Sequence, residues 1–189
     1  MRIIGGKHRR RALLTPPDQE IRPTGDRLRE TIFNLLAHAA WMERGLQGLT
    51  VLDAFCGTGA LGLEALSRGV GRAVFMDISQ SSLDLARRNA RALGEEGACT
   101  FLQVDATRPP APPVACDLVF LDPPYGKNLV PAALKALSEN GWLAPHAVAV
   151  CETATTDPWQ DVPGLVLKDT RIQGGIVVRF LVAAGASSA

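Results

Sequence analysis

The sequence predicts an α/β protein built on a doubly wound, mostly parallel sheet of seven strands. Apolar runs of strand length alternate along the chain with stretches of helical periodicity, which is the pattern expected of such a sheet. Four of these apolar runs end in an acidic residue, namely Asp53, Asp77, Asp105 and Asp122. Because the carboxyl ends of parallel strands meet around one crevice, we expect these four side chains to lie together there.

The fourth acid, Asp122, opens a short and rigid corner. Val119, Phe120 and Leu121 suit a strand that is buried on both faces, and Pro123 and Pro124 must end it. The Asp122 carboxylate and the Pro123 carbonyl can each accept a hydrogen bond from an amine, while the ring of Tyr125 stacks on the heterocycle. This corner favours a planar amine as ligand. The alternative is an ordinary proline turn with a surface tyrosine.

A glycine-rich loop follows the first strand, which is predicted from Leu49 to Phe55. Gly57, Gly59 and Gly62 connect this strand to a helix. Glycines let the backbone approach a ligand closely, and the start of a helix offers free N–H groups. The spacing also fits a dinucleotide-binding loop, but Asp53 would then face a pyrophosphate, and it suits a ligand with an ammonium group.

The next two strands end in acids that can bind a nucleoside. The strand from Arg72 to Met76 is followed by Asp77, 20 residues beyond Gly57, and an acid at this separation can bind both ribose hydroxyls. The strand from Cys99 to Val104 is followed by Asp105, which is placed for an adenine amino group. Three such acids in register, with Asp122 as the fourth, make separate roles as turn residues a poor explanation.

The other elements are predicted from periodicity and breakers. They are a helix capped by Ser79 and ended by Gly94, a helix from Leu129 to Leu137, a strand from Ala147 to Cys151, and a closing hairpin of Leu165 to Ile172 and Ile176 to Val182. Residues 107–115 form a proline-rich connection, and the tail from residue 184 is small and polar.

Basic side chains are concentrated at the N-terminus. Residues 1–30 hold eight lysines and arginines against four acids, a net charge of +4, whereas the rest of the chain carries −3. This distribution favours a polyanionic partner that is contacted mainly from one end. A solvated terminal extension explains the charge equally well.

A short hairpin and a helix are predicted in this basic region. Residues 2–4 and 12–14 can pair around the basic cluster. The helix has Thr24 or Asp26 as its N-cap and runs to about Met42. Arg27 and Arg29 point in different directions on it, so one of them belongs to a local ion pair, for instance with Glu30.

Composition restricts the class of protein. The chain of 189 residues is 47% hydrophobic and 21% charged, which is ordinary for a soluble domain with a small appendage. No apolar run approaches the roughly 20 residues that span a bilayer, and the start lacks the apolar core of a signal peptide, so we expect a cytoplasmic protein. The four cysteines are widely spaced and the three histidines do not join them, so we expect neither a disulfide nor a metal site. Cys56 is best explained as a packing residue, because no histidine or lysine is placed to activate it.

Together these motifs resemble the class I S-adenosylmethionine-dependent methyltransferases that methylate amines. The resemblance implies a Rossmann-like fold, S-adenosylmethionine as cofactor, and a catalytic corner made of Asp122, Pro123, Pro124 and Tyr125. In that group the glycine loop holds the methionine end of the cofactor, the second-strand acid the ribose and the third-strand acid the adenine. The cofactor-binding residues implied are Asp53, Phe55, Gly57, Gly59, Asp77, Ile78, Asp105 and Ala106. Enzymes acting on adenine, cytosine, guanine or protein amides share this corner, so it specifies only a planar amine.

The chain further resembles the bacterial RsmD-like family over nearly its whole length. The matching motifs are Met1-Arg2-Ile3-Ile4-Gly5-Gly6, Arg22-Pro23-Thr24-x-Asp26-Arg27-x-Arg29-Glu30-x-x-Phe33, the run from Ala60 to Gly69, and Asn89. That family methylates the exocyclic N2 of one guanine, guanine 966, in 16S ribosomal RNA. The implied partner is this RNA, within a 30S particle or an assembly intermediate. The chain departs from the family pattern at Ser79, where many relatives carry Asp, and near Gln173, where a Tyr-Gly pair is common.

The same resemblance implies how the chain is divided. Residues 1–24 are expected to be a basic extension that contacts RNA, residues 25–183 the methyltransferase domain, and residues 184–189 a frayed tail. The RNA-contacting residues implied are Arg2, Lys7, Arg9, Arg10, Arg11, Arg22 and Thr24.

Three other functions compete with this one. A DNA adenine methyltransferase would use the same corner, but it usually needs a target-recognition region for which this chain has little room. An NAD-linked enzyme would use the glycines but leaves Asp53 and Asp122 unexplained. A non-catalytic RNA-binding module would explain the basic N-terminus but not the four acids.

Overall fold

One mixed sheet of seven strands forms the centre of the molecule. The computed structural model describes residues 1–16, 23–42 and 45–185. Its strands are β1 (Thr50–Asp53), β2 (Arg72–Asp77), β3 (Cys99–Gln103), β4 (Cys116–Leu121), β5 (Leu143–Ala154), β6 (Leu165–Gln173) and β7 (Ile176–Ala183). Its α-helices are α1 (Pro23–His38), α2 (Ala60–Ser67), α3 (Gln80–Leu93) and α4 (Leu129–Glu139). The predicted fold class is confirmed.

The strand order is β3-β2-β1-β4-β5-β7-β6, and it places a switch point at β1 and β4. Strands β1 to β5 pair in parallel, whereas β7 runs antiparallel between β5 and β6. The chain moves outward from β1 through β2 to β3 and then returns to the other side of β1 as β4. Ligands of such sheets bind outside the carboxyl ends of the strands at this point.

Both faces of the central strands are buried. Phe120 belongs to one hydrophobic cluster with Phe33 of α1, and the ring centroids lie 5.5 Å apart. Its neighbour Val119 belongs to the cluster on the opposite face, with Leu134 of α4 and the fully buried Trp142. Because both faces are covered, these strands are apolar without alternation, which is why their positions could be predicted from the sequence.

Several predicted boundaries were wrong. Helix α1 begins at Pro23 and ends at His38, so neither Thr24 nor Asp26 is its N-cap. A proline fits the first turn because the first N–H groups of a helix have no intrahelical partner. Strand β5 is longer than predicted, because residues 152–154 continue it by pairing with β7.

The ion pair of Arg29 is also different from the predicted one. Its guanidinium donates to Asp26 at 2.9 Å rather than to Glu30, and to the carbonyl of Arg2 at 2.8 Å. Arg29 is buried, and burial lowers its pKa while Asp26 and Glu64 raise it. Arg29 therefore connects α1 to the start of the chain, and its guanidinium does not face solvent.

Residues 1–16 pack against α2 and α3. The predicted hairpin is reduced to one antiparallel bridge between Arg2 and Ala12, with a short 3₁₀ helix at Gly6–His8 between them. Ile3 and Leu13 are buried in the same core as the sheet. The division of the chain near residue 24 stays a prediction, but the segment before it shares the core of the domain.

Two contacts fix this segment on α2. The carboxylate of the fully buried Glu64 accepts hydrogen bonds from the N–H groups of Ile4 at 2.7 Å and Gly5 at 2.8 Å, and from Arg68 at 2.7 Å. Gly6 has φ +73°, and a Cβ atom there would lie 1.8 Å from the carbonyl oxygen of Ser67. No other residue fits this position without moving the segment.

The closing hairpin of β6 and β7 is confirmed, with Gly174-Gly175 as its turn. Residues 186–189 of the predicted tail lie outside the described residues. In the part of the chain that the structure describes, no helix is both long enough and apolar enough to cross a bilayer.

Candidate active site

The four predicted acids all lie at the carboxyl-terminal edge of the sheet. Asp53 and Asp77 are the last residues of β1 and β2, Asp122 directly follows β4, and Asp105 comes two residues after β3. Asp53 interacts electrostatically with both Asp77 and Asp122. The structure thus brings three of the acids together at the switch point, with Asp105 beyond β2 on the next strand.

Asp53 is the most enclosed of these acids. Only 2% of the residue is exposed, and Oδ2 accepts a hydrogen bond from the N–H of Gly62 at 2.9 Å. Burial raises its pKa to about 7, the Gly62 N–H lowers it, and Asp77 raises it further. Its other oxygen has no hydrogen-bond partner among the described residues, so it is free to accept one from a ligand.

The third glycine of the loop has a packing role. A Cβ atom on Gly62 would lie 2.5 Å from the ring of Phe75 on β2 and 3.4 Å from the Cβ of Asp53. Its absence lets α2 approach the sheet closely enough for the Gly62 N–H to reach Asp53. The match to a dinucleotide motif is explained by this packing.

Asp77 holds the first glycine of the loop. Its Oδ2 accepts from the N–H of Gly57 at 3.0 Å and its Oδ1 from the N–H of Ser79 at 2.9 Å. Each oxygen keeps a further lone pair for a ligand. A Cβ atom on Gly57 would meet nothing within 4 Å, so the loop faces open space there. The side chain of Ile78 is 69% exposed, an apolar surface beside an acid.

Ser79 also caps α3, as predicted. Its side chain accepts a hydrogen bond from the N–H of Ser82 at 3.3 Å. The departure from the Asp of many relatives therefore keeps the capping function, because both residue types accept this bond.

Asp105 is fixed by a local turn. Its Oδ1 accepts from both the N–H and the hydroxyl of Thr107, at 2.8 and 2.7 Å, and these bonds hold its pKa below the ordinary value. Its other oxygen has no partner in the described part of the chain. Ala106 is buried beneath it. A fixed carboxylate with one free oxygen suits an amino group.

The corner from Asp122 to Tyr125 is tied to the end of β5. The N–H of Gly126 donates to Oδ1 of Asp157 at 3.1 Å, and the N–H of Ala154 donates to its Oδ2 at 3.0 Å. Pro123 is buried, and Tyr125 is 39% exposed. The crevice behind the Tyr125 ring has a volume of only about 10 Å³, enough for about one water molecule. This pocket is therefore too small to hold a heterocycle.

A fifth acid, Glu152, completes this group, and the sequence analysis missed it. The parallel register pairs Leu121 with Cys151, so Asp122 and Glu152 follow side by side on β4 and β5. Their carboxyl groups are within hydrogen-bonding distance, and the hydroxyl of Tyr125 donates to Oε1 of Glu152. Glu152 follows the apolar run of β5 just as each aspartate follows its own strand, and this was the signal that could have identified it.

Both members of this pair have raised pKa values. Protein atoms packed around Asp122 raise its pKa well above the ordinary value, and Glu152 and Asp53 raise it further. Solvent still reaches Asp122 from the crevice, which moderates this effect. Burial raises the pKa of Glu152, whereas hydrogen bonds from Tyr125 and Asp122 lower it. The pair therefore binds a proton more readily than two separate carboxyl groups would.

Comparison with known proteins assigns the family. The model of a family described as Conserved hypothetical protein 95 matches residues 1–182. The Ribosomal RNA small subunit methyltransferase D of Haemophilus influenzae is 36% identical over 162 residues, which cover 84% of this chain and 81% of the relative. The chain belongs to the RsmD-like family. It is a methyltransferase, as predicted.

Two further comparisons agree with this RsmD-like assignment. The Escherichia coli protein of the same name is 36% identical over 171 residues, 86% of this chain and 79% of that one. A solved structure of a putative methyltransferase from Escherichia coli has a TM-score of 0.82 and 30% identity, and the match covers 98% of both chains. The similarity therefore includes the N-terminal segment as well as the sheet.

The N-terminal basic residues of this RsmD-like chain fall into two groups. Arg2 pairs with Asp26 at 3.4 Å, Lys7 with Glu95 at 2.7 Å, and Arg11 donates to the carbonyl of Ala92 at 2.9 Å. His8 also contacts Glu95. These side chains are used at least in part to hold the segment in place.

Arg9 and Arg10 form the second group. Both are exposed, and neither side chain has a partner among the described residues. Arg22 lies outside the described residues, and Thr24 is described only as part of the backbone of α1. Of the predicted RNA-contacting residues, Arg9 and Arg10 are thus the two that the structure presents to solvent without a partner in its described part.

Cys56 lies in the glycine loop but is not a nucleophile. The residue is buried, and burial together with the charges of Asp53 and Asp77 raises the pKa of its thiol. The reactive form of cysteine is the thiolate, which this environment disfavours. Its packing role, predicted from the sequence, agrees with this environment.

A separate cavity of about 310 Å³ lies against the glycine loop. It is lined by Thr15, Pro16, Gly57, Thr58, Ser81, Ser82, Leu85 and Arg88. None of the five acids described above, Asp53, Asp77, Asp105, Asp122 and Glu152, lines this cavity. We therefore do not assign the ligand of those acids to this cavity.

Proposed function

We propose that this chain transfers a methyl group from S-adenosylmethionine to the exocyclic N2 of a guanine in the RNA of the small ribosomal subunit. The observation that carries the proposal is the Asp122-Pro123-Pro124-Tyr125 corner, which lies beside a crevice with a separate acid for each polar part of the cofactor. The names of the 36% identical relatives support the substrate class. By resemblance, the target is guanine 966 of 16S ribosomal RNA, and the reaction takes place in the cytoplasm.

The residues of the crevice fit this cofactor. The free oxygen of Asp53 and the backbone around Phe55, Gly57 and Gly59 would hold the methionine end, whose ammonium group favours a carboxylate. Asp77 would accept from the ribose hydroxyls and Asp105 from the adenine amino group, with Ile78 and Ala106 offering apolar surface. When bound, S-adenosylmethionine supplies a methyl group that the N2 lone pair displaces from its positively charged sulfur.

The corner supplies what a guanine amine lacks as a nucleophile. The lone pair of N2 is delocalised into the ring, and acceptance of its two hydrogens by Asp122 and the Pro123 carbonyl favours a tetrahedral nitrogen whose lone pair points toward the methyl group. No covalent intermediate with the protein is needed. The proton that N2 loses passes to Asp122 or to water.

Tyr125 makes this geometry accessible in RNA. The target base must leave its stack to enter the site, which costs a few kcal/mol. Stacking on an aromatic ring returns about 1–3 kcal/mol per base. Tyr125 is 39% exposed and lies three residues after Asp122, so its ring could take part in such stacking.

The RNA backbone would be bound by the basic segment. Arg9 and Arg10 would contact phosphates, while Arg2 holds the segment on α1, and Lys7 and Arg11 hold it at the end of α3. We propose a small-subunit particle or assembly intermediate as the substrate, because one flipped base with two nearby phosphate contacts offers little selectivity in naked RNA.

The test is transfer of labelled methyl from S-adenosylmethionine to three substrates: 30S particles that lack the modification, protein-free 16S RNA, and duplex DNA. Asp122→Ala should abolish transfer while leaving cofactor affinity, measured by calorimetry, within a few fold. Asp84→Ala is a matched control, because that side chain is 54% exposed on α3. Label on DNA alone would overturn the ribosomal substrate. Equal loss of turnover and cofactor binding in Asp122→Ala would overturn the role of the corner.

A further inference from the structure

The carboxyl group of Glu152 lies where the edge of a bound base would be. It neighbours Asp122 on the adjacent strand, and its carboxyl group is within hydrogen-bonding distance of Asp122. It also accepts the hydroxyl hydrogen of Tyr125, the ring on which the base would stack. A base whose amine reaches Asp122 therefore presents the atom next to that amine to Glu152.

The nucleobase amines differ in this neighbouring atom. In guanine, the N2 amine is flanked by N1–H, which is a hydrogen-bond donor, and by N3, which is an acceptor, and only the orientation that turns N1–H toward Glu152 satisfies this carboxyl group. In adenine the N6 amine adjoins N1, and in cytosine the N4 amine adjoins N3, and both of these nitrogens are acceptors. A carboxylate accepts hydrogen bonds and repels other acceptors, so it distinguishes guanine from the other two.

We propose that Glu152 selects guanine, by accepting the N1–H next to the amine that Asp122 holds. This inference rests on the proposed function, and it assigns to Glu152 the specificity that the Asp-Pro-Pro-Tyr corner does not provide. Two neighbouring carboxyl groups match two neighbouring donors on one edge of the base. The guanine edge then supplies one hydrogen to each carboxyl group.

A purely structural role for Glu152 is the competing explanation. In that role it would only hold Tyr125 in place through the hydroxyl. The two roles differ in one respect: orienting Tyr125 affects every base that stacks on the ring, whereas accepting N1–H affects only a base that has this hydrogen. The substitution Tyr125→Phe removes the hydroxyl and keeps Glu152, so it separates the structural role from the selective role.

The experiment compares guanine with 2-aminopurine at the target position of reconstituted small-subunit particles. 2-Aminopurine has the same exocyclic amine, but its N1 is an acceptor. It also lacks O6, and this difference is the same for every enzyme variant. The informative quantity is therefore the ratio of the two methylation rates, and how that ratio changes between the wild type and its variants.

We expect the wild type to prefer guanine by about tenfold or more, the usual effect when a site built for a donor meets a base without it. In Glu152→Gln the amide oxygen can still accept from Tyr125 while its NH₂ group donates to the acceptor N1, so the ratio should fall to within about threefold. Glu152→Ala should lower the ratio similarly. Tyr125→Phe should keep it, as should Glu139→Gln, a matched change at a side chain that is 64% exposed on α4.

The outcomes separate the possible failures. An unchanged ratio in both Glu152 variants, or equal loss of activity on the two bases with cofactor binding intact, would overturn the selective role. A fall in the ratio for Tyr125→Phe as large as for Glu152→Gln would show that Glu152 acts only through Tyr125. Absence of transfer by the wild type to guanine-containing particles would instead overturn the proposed function on which this inference rests.

Discussion

The stability of the protein should fall as pH rises because of Asp53, and Asp53→Asn should remove this effect. Asp53 is fully buried, and burial raises its pKa from an ordinary 3.8 to about 7. Between these two values the unfolded chain has lost the proton and the folded chain has kept it. The folded state then binds more protons than the unfolded state, so raising the pH through this range destabilises it.

The size of this loss of stability follows from the shift in the pKa of Asp53. A change of about three pKa units, at about 1.4 kcal/mol per unit, corresponds to about 4 kcal/mol above pH 7. About 3 kcal/mol of this develops between about pH 4.5 and pH 8, because the decline begins near the unfolded pKa. Asn at this position keeps an acceptor for the Gly62 N–H and has no charge to bury.

The assay is urea unfolding of the wild type and Asp53→Asn at several pH values from about 4.5 to 8, without cofactor. Titrating groups that do not interact with Asp53 contribute equally to both proteins, so the difference between their free energies of unfolding reports Asp53 together with its electrostatic partners Asp77 and Asp122. From about pH 4.5 to about pH 8, the free energy of unfolding of Asp53→Asn should rise by about 3 kcal/mol relative to that of the wild type. A difference that stays constant with pH would refute the raised pKa and the enclosed position of Asp53.

Three further predictions concern the corner and the N-terminal segment. Tyr125→Ala should reduce the methylation rate about tenfold or more beyond Tyr125→Phe, because stacking needs the ring; equal rates would contradict a stacking role. Gly6→Ala should destabilise the protein by several kcal/mol in thermal unfolding, because its Cβ would meet the Ser67 carbonyl at 1.8 Å, whereas Gly97→Ala, with open space around it, should have little effect. Replacing Arg9 and Arg10 together by Ala should weaken particle binding and make it less dependent on salt, with cofactor affinity unchanged; an unaltered salt dependence would exclude phosphate contacts by these residues.

The central strands and the edge where their acids meet could be predicted because burial on both faces leaves a strong sequence signal. Residues 73–76 of β2 and residues 118–121 of β4 are apolar without interruption, and an aspartate follows each run. The ends of β5 could not be predicted in the same way. Strand β5 continues through Glu152 and Thr153 because β7 pairs with them, and a polar residue whose strand is fixed by a neighbour gives no apolar signal of its own.

The partners of the charged residues could not be predicted, because they depend on contacts between distant parts of the chain. Glu64 was one position in a helical run, but it accepts two backbone N–H groups from the N-terminal segment, about 60 residues away. Glu95 similarly binds Lys7 and His8. Without these pairings, the basic candidates named from the sequence could not be told apart. Among those candidates, the described part of the structure leaves Arg9 and Arg10 exposed without a side-chain partner.

The distribution of charge also bears on how an RNA substrate would be held. Asp53, Asp77, Asp105, Asp122 and Glu152 line one edge of the sheet, and this acidic crevice suits a cofactor that carries an ammonium and a sulfonium group. The same crevice repels phosphates, so the RNA backbone would have to remain outside it while an uncharged base enters. The positive charge required to hold that backbone lies on the N-terminal segment, at the 3₁₀ turn packed on α2. If the segment contacts phosphates as proposed, its anchoring by Glu64 and Glu95 is needed, because a phosphate contact positions a base in the crevice only if the segment that makes it cannot move relative to the sheet.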